Sequence, residues 1–283
     1  MEGDEDQEYS ANNYQIIPDL SFGRENVPVK LVADVSQIEL NEDNFPYFNY
    51  ITESKPTVGI QLEEDLYRLP CCACEDRCDP LTCSCCKSGP FFDEDHCLVQ
   101  TDNRSILSCN SNCACSTDCP QRCVAGGVTL PLQVSWMGKK GWSLRCEADI
   151  SAGRFVIEYV GEIVSDAEAE ARGNRNEGMF LLDLSSGEGG GRKTRCLDAK
   201  WFGNASRFIN HSCDPNLLAR IVHVNSHDEF TPRVVFVARR NIKQFEELTF
   251  DYGIIENRKK SLGGDAYRIR CQCGVPSCRG IDL

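Results

Sequence analysis

The chain has 283 residues, 41% of them hydrophobic, enough to bury a sizeable core in one large domain or two ordinary ones. No apolar run approaches the length of a bilayer span, which argues against a membrane protein. Thirty basic residues against 43 acidic ones leave a net charge of −13, which opposes nonspecific attraction to nucleic acid or anionic lipid and suits a Lys- and Arg-rich partner, although acidity also serves solubility alone. Residues 1 to about 20, opening "MEGDEDQEYSANN", hold too little apolar material to offset the entropy of ordering and are expected to be a disordered acidic tail. The opening also lacks the basic start and apolar stretch of a secretory signal, so an intracellular protein is expected.

Residues 21–129 come next. Between Ser21 and Leu69, "ENVPVKLVADV" and "NFPYFNYI" predict extended segments lying over another domain. A cysteine core over 71–123 follows, with few aliphatics and no clear period, so metal rather than apolar packing would have to hold it together. From residue 130 to 253 the chain predicts a mainly β domain with few short helices. "LPLQVSWM", "GRFVIEYVGEIV", "MFLLDL", "RVVFVARR" and "EELTFDY" read as short strands between turns. One helix is predicted: Ser165 as N-cap and Glu168 three residues on form a capping box leading "DAEAEAR" to a stop at Gly173. The glycine-rich "SSGEGGGRK", Ser185 to Lys193, lacks the ending of a phosphate loop and is expected to be a hairpin tip. Residues 254–270 are assigned as a linker and 271–283 as a second cysteine segment.

Nineteen cysteines, thirteen of them between Cys71 and Cys123, are the outlying feature. The odd count and the expected reducing compartment favour metal thiolates over disulfides. Cys72, Cys74, Cys78, Cys83 and Cys85 spell C-x-C-x3-C-x4-C-x-C, and Cys109, Cys113, Cys115 and Cys119 spell C-x3-C-x-C-x3-C. Nine thiolates satisfy three tetrahedral zinc ions if three of them bridge, which predicts a triangular cluster. Cys271, Cys273 and Cys278 are one ligand short of a fourth site, and Cys213 is the candidate that completes it. Cys71, Cys86, Cys97, Cys123, Cys146 and Cys196 stand outside this count as packing thiols.

The nine cysteines followed by "KGW", "EYVGE", "RFINHSCDPN", "FDYG" and "CQCGVPSC" resemble SET-domain lysine methyltransferases with pre-SET and post-SET zinc modules. "YVGEIVSDAEAE" and "RFINHSCDPN" are most similar to the suppressor-of-variegation branch, in particular its euchromatic histone-lysine methyltransferases. The resemblance implies small curved sheets with a C-terminal pseudoknot through which "RFINHS" passes, and S-adenosylmethionine as methyl donor, leaving S-adenosylhomocysteine. It assigns Lys140, Gly141, Trp142, Phe180, Arg207, Asn210, His211 and Gln272 to the cofactor, Tyr252 and Tyr159 to catalysis, and Phe250 to product specificity. Asp166 and Asp183 would lie along the peptide groove. Where the family has GWG this chain has Ser143 after Trp142, and Phe180 stands where a cofactor-contacting tyrosine is common; each would weaken cofactor binding.

By the same resemblance the substrate is the histone H3 tail at lysine nine. The products are di- or trimethyl-lysine, because Phe250 leaves room that a tyrosine would fill. The location is nuclear and chromatin-associated, with repressed transcription as the outcome and chromatin complexes as partners. No membrane and no direct sequence-specific nucleic acid is expected. As isolated residues, two strand tyrosines are more often core aromatics than catalysts; their motifs carry the assignment. A catalytically weak SET module that binds histones as a scaffold, and a zinc-dependent DNA-binding domain, are the rival readings; the second lacks a basic recognition helix.

Overall fold

The computed structural model describes residues 13–34, 45–62, 71–86, 89, 91–99, 104–174, 180–184, 195–224, 232–252 and 270–280. Among these the chain is mainly β, in three four-stranded and two two-stranded sheets. The first sheet joins β1 (Asn13–Ile17), β2 (Lys30–Asp34), β6 (Leu132–Trp136) and β7 (Trp142–Cys146) in that order. The second runs β10 (Leu181–Asp183), β11 (Arg195–Asp198), β9 (Glu162–Ser165) and β4 (Lys55–Pro56). The third runs β5 (Ile106–Leu107), β14 (Leu217–His223), β15 (Arg233–Ala238) and β8 (Phe155–Tyr159). Two parallel pairs complete the set: β3 (Asn49–Tyr50) with β12 (Phe202–Gly203), and β13 (Asn210–His211) with β16 (Thr249–Phe250).

The continuous apolar run at β15 is explained by cover on both faces. Val234, Phe236 and Ala238 enter the main core, while Val235 and Val237 enter a second cluster with Phe92, Leu98, Ile106, Val124, Phe155 and Val222. The period-two alternation of the strand therefore chooses which side chains reach the candidate site, and Phe236 is one of them. The capped helix α1 spans Asp166–Asn174. Ser165 Oγ accepts from the Glu168 amide at 3.3 Å, as a cap does, but the Glu168 carboxylate turns to Arg172 rather than back to the cap. Arg172 also pairs with Glu162 and with the fully buried Asp198, fastening α1 to β9 and β11.

Two expectations are corrected. The disordered tail assigned to residues 1–20 does not extend to residue 20: Asn13–Ile17 pairs with β2, and Leu20 is buried in the main core. Apolar positions at Ile16, Ile17 and Leu20 supply the burial that the residues before them lack; residues 1–12 lie outside the described residues. The segments of 21–69 are also not an overlay on a separate domain. β2 pairs with β6, β3 with β12 and β4 with β9, so these strands are members of sheets completed by strands between residues 132 and 203. The glycine-rich stretch 185–193 and the linker, apart from Arg270, lie outside the described residues.

Candidate active site and thiol clusters

The parallel pairing of β13 with β16 sets His211 opposite Phe250, bringing the "RFINHS" and "FDY" segments together. A continuous aromatic row results. Tyr159 lies edge-on to Phe236 at 6.2 Å between ring centroids, Phe236 is 4.7 Å from Phe250, Phe250 is 4.7 Å from Tyr252, and Tyr252 is 5.3 Å from the His211 ring. Both phenols point their hydrogens into backbone: Tyr252 Oη donates to the Ile209 carbonyl and Tyr159 Oη to the Phe180 carbonyl, each at 2.8 Å. Burial pushes both phenols well above their ordinary value, reinforced at Tyr252 by the Glu247 carboxylate. Both therefore stay neutral at physiological pH, with their oxygen lone pairs left to accept.

A carboxylate that the motif reading passed over organises the neighbouring segment. Glu247 accepts from Lys140 Nζ at 2.8 Å, Ser143 Oγ at 3.1 Å and Asn210 Nδ2 at 3.0 Å. Asn210 Nδ2 also donates to the Trp142 carbonyl at 3.2 Å. Lys140, Trp142 and Asn210, 70 residues apart at the extremes, are thus fastened at one point. The Ser143 hydroxyl is bonded to Glu247, so the departure from GWG is accommodated by a partner. Gly141 has φ of 76°, a conformation a side chain would strain. Gly161 of "YVGE" is required for a different reason: a Cβ there would meet the Asp198 carbonyl oxygen at 2.6 Å.

Arg207 is enclosed by aromatics. Its guanidinium carbon lies 4.2 Å from the Phe180 ring, 4.4 Å from Phe48 and 5.1 Å from Phe208, while Nε and one terminal nitrogen donate to the Ala199 and Lys200 carbonyls. Burial brings it down to about 10. Its other terminal nitrogen and Trp142 Nε1 are buried donors with no protein partner among the described residues. Phe48 and Phe45 were not anticipated at the site. Phe45 stacks on Phe208 at 5.4 Å and meets Trp142 edge-on at 5.1 Å; the aromatic density of "NFPYFNYI" was the available signal.

Of the remaining predicted residues, Gln272 is exposed between the buried Cys271 and Cys273. Asp166 begins α1, where the buried Cys196 thiol lies 3.6 Å from its carboxylate, and Asp183 stands opposite Cys196 in the strand register. The two groove candidates therefore flank one cysteine.

All nine thiols counted from the spacing gather in one cluster, eight buried and Cys74 half-buried. Cys72, Cys78, Cys109 and Cys115 form one set of four thiols within 4.8 Å of one another; Cys72, Cys83, Cys85 and Cys109 form another, and Cys72, Cys74, Cys78 and Cys83 a third. Cys72 belongs to all three sets and Cys78, Cys83 and Cys109 to two each, while Cys113 and Cys119 lie in the same cluster outside these sets. Cys113 Sγ lies 3.7 Å from Cys85 Sγ. Cys86, expected to be a packing thiol, is buried against the same cluster, its thiol 3.8 Å from the Asp79 carbonyl. The Arg122 guanidinium supplies positive charge, with Nε donating to Cys115 Sγ at 3.4 Å and a terminal nitrogen to the Cys113 and Cys115 carbonyls. Cys213, Cys271, Cys273 and Cys278 form the separate set predicted for the C-terminus. Four soft thiolates in tetrahedral reach are the donor set zinc takes, and a saturated set leaves no open position for catalysis.

Family models match the chain over residues 21–122, the Pre-SET motif, and over 141–253, the SET domain. The methyltransferase domain of human histone-lysine N-methyltransferase SETMAR superposes with a TM-score of 0.75 at 30% identity, covering 93% of this chain and 97% of that one. The chain belongs to the SET-domain family, with the pre-SET module of its histone-lysine methyltransferase members. Histone-lysine N-methyltransferase EHMT1 of Mus musculus is 34% identical over 267 residues, which is 92% of this chain and 19% of that protein. This chain therefore spans about a fifth of the length of that relative. KRYPTONITE, solved with methylated DNA, an H3(1-15) peptide and S-adenosylhomocysteine, superposes with a TM-score of 0.78 at 28% identity, covering 94% of this chain and 54% of that one.

Proposed function

We propose that this chain transfers methyl groups from S-adenosylmethionine to the side-chain amine of a histone lysine, at lysine nine of histone H3, giving di- or trimethyl-lysine and repressive chromatin. The observation that carries the reading is the buried row of Tyr159, Phe236, Phe250 and Tyr252 ending beside the Glu247 cluster. Lys140, Gly141, Trp142, Phe180, Arg207, Asn210 and His211 would border the cofactor, with Gln272 contributed by the post-SET segment. The residues fit such a ligand: Gly141 leaves the backbone bare, and Trp142 Nε1 and one terminal nitrogen of Arg207 are buried donors that lack a protein partner among the described residues. When bound, the cofactor supplies an electrophilic methyl group on a positively charged sulfur.

The side chains supply alignment. A free lysine is charged in the cell, with a pKa of about 10.4; walls of Phe236, Phe250 and two neutral tyrosines disfavour that charge and favour the reactive amine. Because the Tyr252 hydrogen is held by Ile209, the phenol oxygen is free to accept from the amine N–H and to fix its direction. Neither phenol serves as proton acceptor, since burial keeps both neutral. Rate enhancement then comes from orientation and exclusion of water. Phe250 contributes no hydroxyl to crowd a methylated amine, and carboxylates at Asp166 and Asp183 would hold a basic residue beside the target lysine. The thiol sets would hold three zinc ions in the pre-SET cluster and one at Cys213, Cys271, Cys273 and Cys278.

Support for the substrate comes from the names and ligands of the relatives and from the charge of −13, which suits a basic tail. Incubation with S-adenosylmethionine and an H3 tail peptide, followed by mass spectrometry, should show additions of two and three methyl groups on lysine nine. Tight peptide binding with no transfer would replace this reading with the scaffold.

A further inference from the structure

The His211 side chain makes two hydrogen bonds at opposite edges of its ring. The Tyr252 backbone N–H donates to Nδ1 at 3.0 Å, and Nε2 lies 3.3 Å from Cys213 Sγ. Since Nδ1 accepts, the proton of the neutral ring sits on Nε2 and is donated to the sulfur. The His211 side chain itself is only 1% exposed. Cys213 is at the same time one of the four thiols of the C-terminal set, and its sulfur also accepts from the Arg279 amide at 3.4 Å. Asp251, the residue before Tyr252, pairs with Arg279 at 2.5 Å, a second strap between the same two segments.

We infer that His211 is a positioning residue through which occupancy of the C-terminal thiol set by zinc governs the placement of Tyr252. A metal-bound thiolate is a charged acceptor and takes the Nε2–H more strongly than a neutral thiol does. The ring so anchored presents Nδ1 at a fixed point for the Tyr252 amide, two bonds from the phenol-bearing carbon. Without the ion the sulfur is held only by the Arg279 amide and its contact with the Cys271 thiol, and the ring's anchor weakens. Outer-sphere donors of this kind commonly change metal affinity by about 10–100-fold when removed. The importance of this link for methyl transfer rests on the proposed function; the link itself does not.

The test uses the zinc-loaded full chain and two isosteric variants. His211→Asn places an acceptor near Nδ1 but falls short of Cys213; His211→Gln places a donor near Nε2 but offers nothing at Nδ1. Hydrogen exchange of the Tyr252 amide is followed by NMR with Cys278 intact and in Cys278→Ser, which disables the C-terminal set while leaving the pre-SET thiols untouched. With His211 present, Cys278→Ser should accelerate exchange about tenfold or more. In His211→Asn the amide should exchange equally fast with and without Cys278, and in the cobalt-substituted protein the thiolate charge-transfer band should shift. In His211→Gln that band should return toward the parent position while the amide stays unprotected. Exchange that still responds to Cys278→Ser in His211→Asn, or a cobalt spectrum indifferent to both variants, overturns the inference. Parent protein that transfers no methyl group yet gives the expected exchange and spectra would defeat the proposed function and leave the relay standing.

Discussion

Residues 72–119 bury their cysteines against one another with Phe91 among the few carbon neighbours, whereas Tyr159, Phe236, Phe250 and Tyr252 sit inside a core drawn from most of the strands. The thiol cluster itself has little apolar packing to hold it, although Phe92, Leu98 and Ile106 of the same span join the second core; the aromatic region is held by apolar burial and by backbone carbonyls that receive the phenol hydrogens. One is made rigid by ligands from outside the chain and the other by packing within it. The difference predicts that they fail separately, under different insults.

Chelation is the sharpest way to break the comparison. Zinc binding in small thiolate modules contributes on the order of 10 kcal/mol, so a strong chelator should abolish amide protection across 72–86 and 109–119 while β8, β15 and the β5 pairing keep theirs, as read by hydrogen exchange. Equal loss in both regions would mean that the aromatic core also depends on the ions. Within the aromatic region, Tyr252→Phe removes the oxygen that would direct the amine, and misalignment at a reacting centre costs about 10²-fold; kcat should fall by that order with cofactor affinity nearly intact in calorimetry. Glu247→Ala leaves the Lys140 ammonium and the Asn210 amide without their partner, at about 1–3 kcal/mol, and should weaken cofactor affinity about tenfold, while Glu247→Gln, which retains an acceptor, should lose less. Phe250→Tyr should leave the rate similar and move products toward monomethyl-lysine by mass spectrometry. Smallest of all, Ser143→Gly removes one hydrogen bond worth about 1 kcal/mol and should lower the melting temperature slightly without tightening cofactor binding; markedly tighter binding would show that the serine obstructs the ligand.

The two regions also differ in how far they could be read in advance. Thiol clustering follows spacing, because a C-x-C step fixes the reach of two sulfurs whatever the surrounding fold, and the nine thiols at 72–119 and the four at Cys213, Cys271, Cys273 and Cys278 gather in two separate groups. The aromatic row depends on register between strands far apart in sequence. Tyr159 and Tyr252 were reachable through their motifs, but nothing in "RVVFVARR" says that Phe236, and neither flanking valine, faces them. Glu247 was hidden for a similar reason: a glutamate in "EELTFDY" looks like a solvated strand end until Lys140, Ser143 and Asn210 converge on it. The short tail at residues 13–20 was misjudged because acidity was averaged over a window that also contains Ile16, Ile17 and Leu20.

Strand exchange between the two family modules has a practical corollary. β2, β3, β4 and β5 all precede residue 122, yet their partners are β6, β12, β9 and β14, which follow it. Scission in the gap between the two matched families would strip a neighbour from each of those four strands and present four raw edges to any other chain. The pair should consequently be inherited, expressed and degraded as a single piece, with neither half soluble by itself.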